Sequence, residues 1–117
     1  MSSGRLSTHV LDLVTGKPAA GVAIYLYQVS GGSRMLVKQT VTNADGRCDE
    51  PLLAADQVTR GTWELDFHVA DYFKSAPAGE LPFLSVVTLR FSIDAVNEGY
   101  HVPLLVTPWS YSTYRGS

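Results

Sequence analysis

Cysteine is all but missing. Cys48 stands alone, so no intrachain disulfide can form. That excludes the stapled scaffolds of small secreted proteins and suits a reducing compartment. Long runs of one charge are missing too. Charged residues make up 17% of the chain and the formal net charge is −2. Nothing in that balance offers an electrostatic footprint for nucleic acid or an anionic membrane. No apolar window reaches the length of a membrane span. The start of the chain lacks the charged region and apolar run of a secretory signal. These absences together give a cytoplasmic protein as the simplest reading. Repeats, low-complexity tracts and linkers are absent as well, so residues 1–117 are expected to form a single domain.

What is present is a 45% hydrophobic fraction, enough for a compact core, distributed with a period of two. Leu6, Thr8, Val10 and Asp12 alternate with Ser7, His9, Leu11 and Leu13. Thr15-Gly16-Lys17-Pro18 reads as a turn. Further strands are expected at Val22 to Val29, Met35 to Thr42, Arg47 to Leu52 and Gly61 to Val69. Others follow at Phe83 to Ile93, Tyr100 to Val106 and Tyr111 to Arg115. Ser30-Gly31-Gly32-Ser33 and Asn43-Ala44-Asp45-Gly46 punctuate them as turns. Ala70 to Ala76 is the one helical candidate, with Pro77, Gly79 and Pro82 to end it. Many short strands with one helical insert predict an all-β sandwich or barrel.

The histidines and arginines are the candidate chemistry. His9 sits mid-strand, with Thr8 and Val10 on the opposite face; a lone strand histidine is more often structural. His101 precedes Pro103, which cannot donate to a ladder, so an edge or a bulge is expected there. His68 falls on the polar face of its strand and reads as solvated. Arg47 and Arg115 have an ordinary surface reading. Asp45 is expected to brace its turn through its side chain. His9 and His101 lack the spacing of a zinc motif. Cys48 has no activating motif, and the hydroxyls lack a nucleophile elbow. The chain's last residues, Tyr111-Ser112-Thr113-Tyr114-Arg115-Gly116-Ser117, are strand-like where a terminus would ordinarily be polar and frayed. Such a segment is either packed or used.

Taken together, these segments resemble the transthyretin-like family, and within it the hydroxyisourate hydrolase branch. The resemblance is carried by Leu6-Ser7-Thr8-His9-Val10-Leu11-Asp12, by Gly16-x-Pro18-Ala19 and by Thr42-Asn43-x-Asp45-Gly46-Arg47. It continues in Tyr100-His101-Val102-Pro103-Leu104-Leu105 and in the closing Tyr114-Arg115-Gly116-Ser117. Gly99 stands where the family often has a histidine, and Leu81-Pro82-Phe83 shortens a phenylalanine-rich approach. The resemblance implies a sandwich of two four-stranded sheets with one short helix. It implies a homotetramer, a dimer of dimers, with active sites in the channel where the dimers meet. It also implies hydrolysis of 5-hydroxyisourate, a small-molecule substrate, with no metal and no organic cofactor. His9 and His101 would then activate water and move protons, and Arg47 would anchor substrate and stabilise charge. Tyr114 and Ser117 would shape the pocket, while Arg115, of opposite strand parity, would fix the terminal strand. The competing expectations are a carrier of a planar ligand on the same fold and a zinc-dependent hydrolase. A carrier needs no general base, and a zinc enzyme would lose activity to a chelator.

Overall fold

The computed structural model describes residues 4–117. Two four-stranded sheets face each other, as the alternation predicts. One has Val10–Asp12 (β2), Lys17–Pro18 (β3), Leu104–Val106 (β9) and Tyr111–Ser112 (β10) in the order β10-β9-β2-β3. The other has Ala23–Ser30 (β4), Ser33–Val41 (β5), Gly61–Phe67 (β6) and Val87–Ile93 (β7) in the order β5-β4-β6-β7. A short parallel pair, Leu6–Ser7 (β1) with Tyr100–His101 (β8), continues the first sheet.

The core is made by alternate residues of both sheets. Leu6, Val10, Leu104 and Val106 come from one side; Ile24, Leu26, Leu65 and Phe67 come from the other, all fully or almost fully buried. Burying side chains of this size is worth roughly 1.5–3 kcal/mol each, which makes this seam the main stabilising element. The same alternation sends Ser7, His9, Leu11 and His101 to the outer face, where they stay half-exposed.

The expected strands Leu6 to Leu13 and Tyr100 to Val106 are each broken in two, at Thr8-His9 and at Val102-Pro103. Register survives the break: Leu6 pairs with Tyr100 and Asp12 with Val106, an offset of 94 residues at both ends. Pro103 stands opposite His9 in that register and has no N–H to give. The bonds on either side persist, Val102 N–H to Ser7 O and Leu104 N–H to His9 O, both at 2.9 Å. The Thr113 hydroxyl donates to the Pro103 carbonyl at 2.7 Å. This strand is therefore interior, flanked by β2 and β10, and its register passes Pro103 unshifted, so the expectation of an edge or a bulge there is corrected.

Other boundaries differ. Arg47 to Leu52 forms no strand; only Leu53 bridges to Leu6, because the Arg47 carbonyl is taken by Asn43 N–H in the preceding turn and Pro51 has no donor. Lys17–Pro18, expected as part of a turn, pairs with β2. The helix (α1) is Val69–Phe73 and ends on Lys74, at φ 51°, before any proline. The run from Phe83 becomes strand only at Val87. His68 is the N-cap residue of this helix and its ring packs at a tilt against Tyr25, ring centroids 4.8 Å apart, so it is half-buried rather than solvated.

Candidate active site

The site begins with a turn. Asn43 Oδ1 accepts from the N–H groups of Asp45 at 2.9 Å and Arg47 at 3.2 Å. Asn43, not Asp45, supplies the bracing side chain that the turn needs. Gly46 follows at φ 72°, and a Cβ there would stand 2.4 Å from the Val10 carbonyl. Only glycine combines that backbone with that approach. Gly46 O accepts from Val10 N–H at 2.8 Å, which docks the turn on β2 and carries Arg47 to the outer face. Arg47 is exposed, and its guanidinium makes no hydrogen bond or ion pair among the described residues.

Asp45 contributes a backbone atom instead of its side chain. Its carbonyl accepts from His9 Nε2 at 2.8 Å. A carbonyl can only accept, so that nitrogen carries a hydrogen. His101 Nδ1 lies 2.9 Å from Ser7 Oγ. Gly116 holds His101 from the other side, through His101 N–H to Gly116 O at 3.0 Å and Gly116 N–H to His101 O at 2.7 Å. Arg115 stabilises that bridge by reaching Glu98 at 3.0 Å and the Gly99 carbonyl at 3.2 Å, with its guanidinium over the Tyr100 ring.

A cavity of about 410 Å³ opens beside these groups, with Arg5, Ser7, Arg47, Gly99, His101 and Ser117 on its wall. Burial pushes the His101 pKa below the usual histidine value, and the charges of Arg47 and His9 push it the same way. His101 is thus a neutral base at neutral pH beside a permanent cation. His9 is not part of that wall, yet it is close enough for its charge to act on His101. Cys48 also faces the cavity, but burial raises its thiol pKa, which leaves it the weaker nucleophile.

His101, Arg47 and Ser117 therefore share one cavity and His9 adjoins it. Tyr114 does not join them within the chain. It lines a second depression of about 420 Å³ between β7 and β10, with Arg90, Tyr111 and Thr113. Ser7 and Arg5 are wall residues that sequence reasoning missed. The signal for Ser7 was available: it shares the strand face of His9, two positions earlier. Among the described residues, no three His, Cys, Asp or Glu side chains converge as a metal centre would require.

The model of the HIUase/Transthyretin family matches residues 6–116. The chain belongs to that family. A protein of Deinococcus radiodurans named 5-hydroxyisourate hydrolase is 58% identical over 113 residues, which cover 96% of this chain and 95% of that protein. The crystal structure of an (S)-allantoin synthase superposes with a TM-score of 0.88 at 44% identity. It covers 99% of this chain, whereas this chain spans only 44% of the synthase. Sea bream transthyretin in complex with thyroxine superposes with a TM-score of 0.80 at 31% identity, covering 96% and 94% of the two chains. The sandwich is common to enzyme and carrier, so the fold cannot separate them. Sequence identity does: this chain stands on the enzyme side of the family, among the hydrolases.

Proposed function

We propose that this protein hydrolyses 5-hydroxyisourate, opening its six-membered ring to 2-oxo-4-hydroxy-4-carboxy-5-ureidoimidazoline with water activated by histidine and no metal. The observation that carries the proposal is one cavity holding a neutral, pKa-depressed His101, an unpaired Arg47 guanidinium and Ser117. The close relationship to proteins named for this reaction supports the choice of substrate.

Each step has a group suited to it. Neutral imidazole takes a proton from water as its oxygen bonds to the ring carbonyl carbon. The C–N bond then breaks, and the proton returns to the departing nitrogen. Arg47 stays charged at any working pH and presents a planar fork to substrate oxygens as negative charge develops. His9 supplies a second imidazole of defined hydrogen placement. The Ser117 hydroxyl orients the flat, polar ring. The ring's own carbonyl and amide neighbours activate it, so the chemistry does not require a Lewis acid.

The active unit in this reading is a homotetramer built as a dimer of dimers. The outer face with Ser7, His9 and His101 is open in one chain, and a second subunit would roof it and bring Tyr114 of a neighbour toward the channel. Trp109 and Tyr114 are 66% and 59% exposed in the single chain, which is unusual for large aromatics outside an interface. The lone cysteine suits a cytoplasmic location. The likeness to a thyroxine-bound transthyretin favours a carrier as the second reading. Freshly generated 5-hydroxyisourate separates the two: its ultraviolet absorbance falls rapidly on adding an enzyme and only shifts on adding a carrier.

A further inference from the structure

Ser7 has no part in the mechanism above, yet its side chain is hydrogen-bonded to that of His101. Its hydroxyl lies 2.9 Å from Nδ1. The two residues are register partners in the parallel β1–β8 pair, so the contact is built into the sheet. Backbone bonds fix both, Val102 N–H to Ser7 O at 2.9 Å and the His101–Gly116 pair. Gly116 also closes on the ring: a Cβ there would stand 3.3 Å from His101 Cδ2. The imidazole is therefore held at one nitrogen and along one edge, while Nε2 makes no hydrogen bond among the described residues.

The two histidines differ in what holds them. His9 is bonded to a carbonyl, which demands a hydrogen on Nε2. His101 is bonded to a hydroxyl, which can donate to a bare Nδ1 or accept from Nδ1–H, and only the second arrangement survives when the ring becomes imidazolium. A neutral His101 that donates Nδ1–H to Ser7 has its lone pair on Nε2. We infer that Ser7 is the positioning residue of His101, holding Nδ1–H so that Nε2 is the nitrogen that takes a proton from water and returns it to the departing ring nitrogen. This rests on the hydrolase reading and deepens it.

The charged and titratable groups facing His101 are Arg47 and His9, whose charges act on it. Arg5, Cys48, Asp49, Glu50 and Tyr100 are the other titratable side chains on the wall, beside Ser117. Against the downward push of burial, Arg47 and His9, an acceptor at Nδ1 favours the imidazolium. Removing it shifts the His101 pKa further down.

The test is nitrogen NMR of histidine-labelled protein together with kinetics of Ser7 variants. In the wild-type protein above the His101 pKa, Nδ1 carries the hydrogen and Nε2 is bare. In Ser7→Ala that preference relaxes. There kcat falls about tenfold, the worth of one hydrogen bond, with KM little changed. The acid limb of kcat/KM moves to lower pH. Ser7→Thr, which keeps the hydroxyl on a strand-compatible side chain, restores all of these. Wild-type His101 protonated on Nε2 instead overturns the inference, even if Ser7→Ala fails to fold. So does a folded Ser7→Ala with unchanged kcat, pH limb and tautomer. If the wild-type protein does not turn over 5-hydroxyisourate, the functional reading fails, and the NMR still decides what Ser7 does to His101.

Discussion

Arg47 illustrates how much of the chemistry rests on single groups. Its guanidinium is delivered by a turn that Asn43 braces and Gly46 docks, and it reaches the cavity unpaired. Arg47→Lys keeps the charge and loses the fork, so kcat/KM is expected to fall about tenfold or more, some 1.4 kcal/mol of transition-state stabilisation. A lysine variant with unchanged kcat/KM removes the bidentate role. The histidines carry larger stakes. His9→Asn or His101→Asn retains hydrogen bonding but cannot transfer protons near neutral pH, and general acid–base catalysis contributes ~100- to 10,000-fold. At least one variant should lose that much. The sign of the pH dependence follows from His101. Its pKa is depressed, first by burial and then by Arg47 and His9. The neutral, active form therefore persists to lower pH than for a free histidine, and activity falls only as pH drops through the depressed value. A limb above the usual histidine range would contradict this assignment.

At the level of elements, strand parity was legible and strand continuity was not. Alternation put Thr8 and Val10 on the face opposite His9, and in the structure those two are buried while His9 is half-exposed. Alternation could not show that Pro103 interrupts an interior strand, since the Thr113 hydroxyl that satisfies the Pro103 carbonyl lies ten residues away. Nor did the turn pattern tell whether Asn43 or Asp45 would brace it. The role of the Asp45 carbonyl depends on backbone position, which side-chain identity does not report. The resemblance groups Tyr114 with Ser117, whereas within the single chain the two line different cavities. The second sheet holds another unread feature: Arg34 bridges Glu64 at 3.0 Å and Asp66 at 3.1 Å, and Arg90 reaches Glu64 at 2.9 Å. Arg34→Met leaves two well-buried carboxylates short of a partner and should cost about 1–3 kcal/mol in urea denaturation, with turnover unchanged. Equal stability would mean solvent replaces the guanidinium, which is itself 40% exposed. Deleting residues 114–117 removes the Gly116 bridge to His101 but no core strand. Circular dichroism should stay native while hydrolysis is largely lost; a truncated protein with full turnover would leave the segment without a catalytic part.

On the scale of the whole molecule, the sandwich supplies a rigid sheet on which strand register brings residues 94 apart in sequence into contact. Ser7, His9 and His101 then share one outer face, half-exposed in the single chain. Sedimentation should find a tetramer, and a fully active monomer would contradict the channel. The decisive measurement is the decay of freshly generated 5-hydroxyisourate followed by ultraviolet absorbance, with chelator-treated wild-type protein beside His9→Asn, His101→Asn and Arg47→Lys. Rapid turnover that survives the chelator and collapses in at least one histidine variant is the expected result. No acceleration by the wild-type protein, or undiminished rates in both histidine variants, would contradict hydrolysis by histidine-activated water.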